Sequence, residues 1–440
     1  MKNPYFLLLL LFLGGLYACK SNKSMPTAAM NITKEKPHHD DNGAESAEIA
    51  NADSRSARAE SANRKEAETI KGEGKSHDHH NHKNGEKGHH GGDSGHGHAH
   101  GHGGKAATQM VHYPEEKHLA NVRQLTFGGD NAEAYWSFDD KHLVFQARNE
   151  AWGSECDQIY LFDPYSDEIS PAQEPKLLST GLGRTTCSYF MKGDKSIIYA
   201  STHLGGDACP PEPPRGAKYV WPIYETFDIF TADLDGNLLK QLTDEPGYDA
   251  EPTLSPDGNL IVFTSIRSGD LELYTMKPDG SDVRQVTSGL GYDGGAFFSP
   301  DGTKLIFRSS RPATPEAKKE YKDLLSQGLV QPTEMELYVC NVDGSDLKKI
   351  TELGNANWAP FFHPSGNKVI FSSNHNSTRG FPFNLFMINV DGSGLEQITF
   401  DKTFDSFPMF SYDGKKLVFA SNRNNGGTRD TNLFIADWVE

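Results

Sequence analysis

The sequence predicts an all-β fold, a six-bladed β-propeller, and three observations lead to it. A short motif recurs six times, each copy joins two apolar strands through a tight turn, and one extra strand precedes the first copy. A single four-stranded antiparallel sheet cannot cover both of its own faces, so repeated sheets of this kind pack radially around an axis. We therefore expect six blades of four strands over residues 119–440.

The repeated motif is an apolar strand, a turn of the Ser-Pro-Asp-Gly type and a strand rich in β-branched residues. Proline, aspartate and glycine supply the backbone angles that a tight hairpin requires. Third and fourth strands follow, as in Glu272–Met276 and Arg284–Thr287. Each copy therefore predicts one blade. The six turns begin, in chain order, at Ser137, Met191, Ser255, Ser299, His363 and Ser411.

The sixth unit predicts how the ring closes. It has no room for a fourth strand before Glu440, whereas a sequence typical of fourth strands, Val122–Thr126, stands before the first unit. We expect this N-terminal strand to complete the last blade beside residues 432–437 and so to close the propeller.

These elements carry a family resemblance. The Gln-Leu-Thr, Ser-Pro-Asp-Gly and Leu-Tyr…Asp-Gly-Ser patterns resemble those of TolB-like six-bladed propellers over about residues 119–440. The resemblance implies the fold, but the family includes scaffolds, binding modules and propellers fused to peptidases, so it implies little about activity. The α/β domain that precedes the propeller in TolB is replaced here by a tether, so a TolB-like role in envelope translocation does not follow.

The first residues predict export and lipid attachment. The apolar run over 5–16 is too short to span a membrane as a helix. It ends in Leu16-Tyr17-Ala18-Cys19, which resembles the bacterial lipoprotein box; the alternative is a secretory signal with an incidental cysteine. We expect a signal peptide over 1–18 and acyl chains, palmitate among them, on Cys19. No acidic residue follows Cys19 directly, so we expect the outer membrane, on its periplasmic or its surface face.

Residues 19–110 predict a disordered tether. They lack a hydrophobic period and are rich in small and polar residues, so they cannot bury enough apolar surface to offset chain entropy. Imidazole binds zinc, copper or nickel, so a His-rich tract can hold such divalent ions; the alternative is a low-complexity spacer. We expect no other cofactor. The clustered histidines are His77, His79, His80, His82, His89, His90, His96, His98, His100 and His102.

The charge of the chain is concentrated in the predicted propeller. The whole chain carries a formal charge of -17, and residues 111–440 hold 47 acidic against 29 basic residues, a net of -18. Binding to nucleic acid depends on neutralising phosphates with basic side chains. The composition therefore argues against nucleic acid and favours neutral or cationic ligands.

Two units carry long insertions, over 203–226 and 311–334, both between second and third strands. Such connections lie on one face of a propeller, here called the insertion face. The tether is expected to enter from the opposite face, which leaves the insertion face free for a partner. The first insertion is rich in proline and offers Trp221 and Tyr224 as contact residues. The second predicts a helix capped by Thr314, which either forms a binding lip or packs on the rim.

Alignment of the six units places one residue of each unit where its inner strand begins, at the channel mouth. Acidic residues there would attract a cation, an ammonium group or a basic peptide, with Arg184 offsetting part of the potential. The alternative is that each Asp or Asn caps its own turn. The first positions are Asn131, Thr185, Asp249, Asp293, Asn357 and Asp405, and two residues later stand Glu133, Cys187, Glu251, Gly295, Ala359 and Phe407.

Four cysteines remain for the folded part of the chain. Disulfides form outside the cytoplasm, and Cys156, Cys187 and Cys209 are the candidates on the insertion face. A Cys187–Cys209 bond would hold the first insertion to its own blade, and Cys156 is the rival partner. Cys340 lies in a third strand and is expected to be a buried thiol.

No catalytic motif is found, neither a Gly-x-Ser-x-Gly elbow nor a His-Glu-x-x-His helix. The sequence therefore favours a non-enzymatic, lipid-anchored propeller, monomeric outside complexes, that binds an envelope protein or peptide. Two alternatives stay open: a metal-handling lipoprotein that uses the His tract, and a substrate-binding accessory subunit of a separate peptidase or transporter.

Overall fold

The computed structural model describes residues 110–213, 218–378 and 380–440. The described residues form six four-stranded antiparallel sheets and one two-stranded sheet. Each large sheet corresponds to one sequence repeat, so the predicted six-bladed propeller is confirmed. Among these residues, no helix is long and apolar enough to cross a membrane.

Each blade runs from an inner strand at the axis to an outer strand at the rim. The N-terminal strand is β1 (Leu119–Gln124), and blade one consists of β2 (Asp130–Trp136), β3 (Leu143–Arg148), β4 (Gln158–Phe162) and β5 (Lys176–Leu177), with a 3-10 turn over Glu150–Trp152. Blade two consists of β6 (Thr185–Phe190), β7 (Ser196–Ser201), β9 (Asp228–Asp233) and β10 (Leu238–Gln241), and its insertion contains β8 (Trp221–Pro222). Blade three consists of β11 (Asp249–Leu254), β12 (Ile261–Ser265), β13 (Glu272–Met276) and β14 (Arg284–Gln285).

The second half of the ring repeats this order. Blade four consists of β15 (Asp293–Phe298), β16 (Lys304–Ser309), β18 (Glu336–Asn341) and β19 (Lys348–Lys349), and its insertion contains α1 (Pro315–Leu325) and β17 (Leu329–Val330). Blade five consists of β20 (Asn357–Phe362), β21 (Lys368–Ser373), β22 (Asn384–Asn389) and β23 (Glu396–Gln397). Blade six consists of β24 (Asp405–Phe410), β25 (Lys416–Ser421) and β26 (Asn432–Trp438), with β1 as its outer strand.

The predicted closure by the N-terminal strand is confirmed. β1 pairs antiparallel with β26, with Leu119 opposite Trp438 and Gln124 opposite Phe434. The strand lies slightly earlier in the chain than the predicted Val122–Thr126. The first and last parts of the propeller therefore share one sheet.

The Gln-x-Thr element of the repeats joins the outer two strands of a blade. In blade three the Thr287 hydroxyl accepts from the Leu273 amide at 2.9 Å, and the Gln285 side-chain amide donates to the Thr287 carbonyl at 2.8 Å. Thr243 makes the equivalent bond to Ile229 in blade two. The repeated threonine therefore replaces strand pairing where the short outer strand ends.

The Ser-Pro-Asp-Gly element closes each inner hairpin and joins neighbouring blades. The Ser255 hydroxyl donates to Asp257 at 2.6 Å within its own turn. Gly258 has φ +78°, and a Cβ there would lie 2.6 Å from the Lys192 side chain of the preceding blade. Only glycine tolerates both the angle and the contact. Where blade two has Asp194 at this position, its carboxylate instead accepts from the Phe138 amide of blade one at 2.8 Å.

The two insertions meet over blade three. β8 of the first insertion pairs with β17 of the second, with Val330 opposite Trp221. The predicted helix is present as α1, and Thr314 caps it by accepting from the Ala317 amide at 3.1 Å. Tyr321 of α1 is buried and donates to Asp270 of blade three. The helix therefore packs against blade three.

The prediction that the chain enters its N-terminal strand from the face opposite the insertions is confirmed, but the path of the residues before that strand was not predicted. β1 does begin on that face, but the segment before it returns to the insertion face, where the Val111 carbonyl accepts from Arg423 at 3.0 Å. The cause is an ionic network: the fully buried Arg423 guanidinium contacts both Asp405 and Glu116 at 2.8 Å. A buried cation loses its solvation and is stable only where anions and hydrogen bonds replace it, and residues 110–118 supply a second carboxylate for Arg423.

Candidate functional site

A bulge recurs in every inner strand, next to the propeller axis. One residue of each inner strand has a positive φ, between 42° and 60°, at a point where the pairing register shifts. These six residues surround one small axial cavity of about 30 Å³, room for one or two water molecules. They are the predicted second ring: Glu133, Cys187, Glu251, Gly295, Ala359 and Phe407.

Glu251 is the centre of a buried ionic network at this cavity. It forms an ion pair with Arg308, and the Tyr292 hydroxyl donates to it at 3.0 Å. The Thr264 hydroxyl and the Gly295 amide donate to the same carboxylate at 2.7 and 2.9 Å. The negative charge of Glu251 is therefore satisfied within the protein.

Glu133 also faces the cavity, and its hydrogen-bond partners are weaker than those of Glu251. The Cys187 thiol donates to it at 2.8 Å and the Tyr135 hydroxyl at 3.1 Å. Burial raises the pKa of Glu133, and burial together with this carboxylate raises the pKa of the Cys187 thiol well above its usual range. The arrangement favours protonated groups over a thiolate nucleophile.

Each aspartate of the predicted acidic channel mouth is paired with an arginine, which offsets the negative potential expected there. Asp249, Asp293 and Asp405 are buried, and each accepts from an arginine of its own blade. The three pairs are Asp249–Arg267 at 2.7 Å, Asp293–Arg311 at 2.6 Å and Asp405–Arg423 at 2.8 Å. These arginines begin the loops after the second strands, so the repeat supplies its own countercharge.

The six residues at the starts of the inner strands form a first ring around the axis. Its uncharged members donate hydrogen bonds to carbonyl groups of loops. Asn131 donates to the Thr431 carbonyl at 2.9 Å, and Asn357 donates to the Met335 carbonyl at 2.8 Å. The Thr185 hydroxyl donates to the Asp157 carbonyl at 3.0 Å. Arg184 does not reach the axis; it pairs with Asp157 and with Glu212 of the first insertion. The first ring therefore ties separate loops together, and Asn131 and Asn357 also bond carbonyls within their own turns.

An aromatic layer lies below the cavity. Tyr135 lies 5.7 Å from Tyr189 and 6.0 Å from Phe297, and Phe297 lies 5.2 Å from Phe361, between ring centroids. The Tyr189 hydroxyl bonds the hydroxyl of Tyr412, which lies in a turn on the face opposite the insertions, at 2.9 Å. These contacts fill the axis and separate the cavity from that face.

An aromatic ledge lies on the insertion face. Trp221, a predicted contact residue, packs against Trp358 at 5.2 Å and lies over the Arg308 guanidinium at 5.2 Å. Tyr224 instead donates to the Pro211 carbonyl inside its own insertion. Sequence reasoning missed most of the ledge, which we define as Tyr219, Trp221, Trp358, Phe381 and Phe383. The Phe-Pro-Phe run at 381–383, in a loop of blade five, was the available signal.

The structure contains one of the two disulfides that the sequence left open. Cys156 of blade one is bonded to Cys209 of the first insertion, with their Cα atoms 6.0 Å apart. Cys187 is not a partner, because its bulge turns it into the axial cavity. Cys340 is a buried thiol, as expected.

The predicted lipidation site and metal tract lie outside the described residues. Cys19 and the histidines between His77 and His102 are therefore expectations from sequence. Within residues 110–213, 218–378 and 380–440, no group of three His, Cys, Asp or Glu side chains is arranged to hold a metal ion.

These features define the class: a six-bladed propeller whose axis is filled by ionic and aromatic layers and whose insertions cover one face. Comparison with known families gives the particular type. Residues 214–329 match the family described as the TolB beta propeller domain, which agrees with the TolB-like pattern of the repeats.

Solved structures of similar fold include TolB proteins and an enzyme. A candidate TolB from Agrobacterium tumefaciens is 19% identical, over 71% of this chain and 91% of that one, with a TM-score of 0.46. TolB from Acinetobacter baumannii is 19% identical, over 68% and 64%, with a TM-score of 0.45. Oligogalacturonate lyase from Vibrio parahaemolyticus is 14% identical, over 72% and 93%, with a TM-score of 0.40. No curated protein matched the chain.

Proposed function

We propose that this protein is a lipid-anchored module of the bacterial cell envelope that binds a protein or peptide partner and catalyses no reaction itself. The observation that carries the proposal is the aromatic ledge on the insertion face. Buried aromatic anchors flanked by exposed ones are typical of protein-binding surfaces.

The ledge combines a rigid base with exposed ends. Trp358 and Phe383 stack at 4.5 Å and are buried, and the Trp358 indole donates to the Pro332 carbonyl. Tyr219 and Phe381 flank them and are 59% and 62% exposed. A partner that covers these two rings gains apolar burial without reordering the base beneath.

The residues at the axis do not favour catalysis, which leaves binding as the proposed activity. A general base or nucleophile needs a reactive protonation state and access to substrate. Glu251 is held by Arg308, the Cys187 thiol has a raised pKa, and the cavity beside both is about 30 Å³. No group at the axis therefore combines reactivity with room for a substrate.

Two observations favour the cell envelope and the lipid anchor. The Cys156–Cys209 disulfide is typical of a protein that folds outside the reducing cytoplasm. The Leu16-Tyr17-Ala18-Cys19 sequence resembles the bacterial lipoprotein box. Replacing Cys19 with Ser should abolish incorporation of labelled palmitate and release the protein from membranes. Unchanged labelling of Cys19→Ser would contradict the anchor.

The binding proposal is tested by substituting the two exposed residues of the ledge in the full-length protein. Tyr219→Ser with Phe381→Ser should reduce recovery of a membrane partner by at least tenfold in affinity capture. The control, Leu239→Ser with Leu347→Ser, removes apolar side chains that are 57% and 45% exposed on other surfaces. Equal recovery of the same partner by both double variants would overturn the role of the ledge.

A second candidate function is metal handling, and one observation favours it. Ten histidines lie between residues 77 and 102. Imidazole clusters of this density bind zinc, copper or nickel. Deleting residues 77–102 should abolish zinc binding in calorimetry and lower the metal tolerance of cells. Unchanged tolerance, with partner capture retained, would remove this function.

A further inference from the structure

A second cavity lies at the seam between blades one and two, away from the axis and from the ledge. Its volume is about 370 Å³, which is in the range of pockets that hold a ligand group. The Cys156–Cys209 disulfide lines it, and so do Trp152 and Tyr160 of blade one. We call this cavity the seam pocket.

The aromatic wall of the seam pocket is held in place. The Trp152 and Tyr160 rings meet edge to face at 5.3 Å, and the Tyr160 hydroxyl is hydrogen-bonded to Ser154. Tyr160 is buried, whereas Trp152 is half-buried and borders the cavity. The pocket therefore offers a fixed aromatic surface to a flat or apolar group.

The disulfide wall is fixed as well. The Gly183 amide donates to the Asp207 carbonyl at 2.8 Å, and the buried Gln158 amide donates to the Gly183 carbonyl at 2.8 Å. Gly183 has φ +58°, and a Cβ there would lie 2.8 Å from the His203 amide. The loop that carries Cys209 is therefore bonded to blade one independently of the disulfide.

The charge of the seam pocket is uncompensated. Glu155, Glu174 and Asp207 line it and are exposed, and within the described chain none of the three forms an ion pair. No Lys, Arg or His is among the lining residues. Three carboxylates beside a fixed aromatic wall make a site of negative potential with low cost of reorganisation.

We propose that the seam pocket binds a cationic side chain of a partner peptide, with a preference for arginine. The inference rests on the proposed function for the source of this side chain. A planar guanidinium stacks on an aromatic ring and bonds two carboxylates at once, whereas an ammonium group does so less well. The aromatic pair and the disulfide loop are both held by contacts within the protein, so the pocket favours a ligand group that is cationic and flat.

The test uses a short labelled peptide and the full-length protein. Fluorescein-Gly-Ser-Arg-Gly-Ser should bind in an anisotropy titration, and its citrulline twin, which has the same shape without the charge, should bind at least tenfold more weakly. Glu155→Gln, Glu174→Gln and Asp207→Asn together should weaken binding of the arginine peptide by at least tenfold. The lysine peptide should bind between the arginine and citrulline peptides.

A matched variant separates local from general electrostatics. Asp244→Asn, Glu245→Gln and Glu316→Gln remove the same charge from other exposed positions and should leave binding within twofold. No binding of the arginine peptide, equal binding of the citrulline peptide, or equal loss in both triple variants would overturn the proposal. Because no partner is used, failure here leaves the capture experiment on the ledge unaffected, and the reverse also holds.

Discussion

The axis and the seam pocket are both lined by carboxylates, but only the axis supplies its own cations. Asp249, Asp293 and Asp405 each contact an arginine of the same blade, and Glu251 contacts Arg308. The seam carboxylates have no such partner among the described residues. An acidic residue therefore points to a ligand only when its own repeat provides no countercharge.

The largest effect is expected at the buried pair of blade six. Arg423→Ala leaves the Asp405 and Glu116 carboxylates buried without a cation, which should lower the free energy of unfolding by about 3–5 kcal/mol. Urea denaturation measures this change. Arg429→Ala, on an exposed side chain of the same loop, should change it by less than about 0.5 kcal/mol. Equal effects of the two substitutions would contradict the role of Arg423 as the cation that neutralises these buried carboxylates.

The disulfide of the seam is expected to have the next largest effect. Cys156→Ser with Cys209→Ser removes a bond between residues separated by 53 positions and should cost about 2–4 kcal/mol of unfolding free energy. Reductant should destabilise the wild-type protein by a similar amount and leave the double variant unchanged. A double variant as stable as the oxidised protein would show that hydrogen bonds alone hold this wall.

Glu133 should give a pH-dependent effect on stability. Burial raises its pKa above the usual 4.5, so the folded state favours the protonated form. The stability from that protonated form is present below pH 4.5 and is lost as the pH rises through the raised pKa. Glu133→Gln should therefore stabilise the protein at pH 8 by on the order of 1 kcal/mol and hardly at all at pH 4.

Thermal or urea unfolding at the two pH values measures this difference. Glu155→Gln, which replaces an exposed carboxylate of the seam pocket with an amide, is the control. Destabilisation by Glu133→Gln at pH 8 would mean that the ionised carboxylate has a stabilising partner at the axis.

The smallest expected effect is the change in the protein's stability when the three seam carboxylates are neutralised. Glu155→Gln, Glu174→Gln and Asp207→Asn together remove charges that make no ion pair in the described structure, so unfolding free energy should change by less than about 0.5 kcal/mol. Urea denaturation of the triple variant checks this expectation. A loss above 2 kcal/mol would show that these carboxylates are structural.

Much of the fold could be predicted from the sequence because the repeat determines local structure. The turn at Ser255 and the strand Glu272–Met276 lie where the motif predicted them, and the N-terminal strand completes blade six. The return of residues 110–118 to the insertion face could not be predicted. It depends on one buried arginine, Arg423, which donates to the Glu116 carboxylate of a segment distant in sequence.

The candidate site was predicted less well than the fold. Alignment of the units found both axial rings, and Arg267, Arg311 and Arg423 stood at matching positions in the three units that begin with Asp. That correspondence was the available signal for internal neutralisation. The seam pocket had no sequence signal, since it forms where a loop of blade one meets an insertion of blade two.

The central claim is that the seam, and not the axis, is open to a cation, and one titration tests it directly. Anisotropy of the arginine peptide is measured with the wild-type protein, with Glu133→Gln at the axis and with the triple seam variant. We predict wild-type affinity for Glu133→Gln and at least a tenfold loss for the seam variant. Loss of binding in Glu133→Gln with retention in the seam variant would contradict the account.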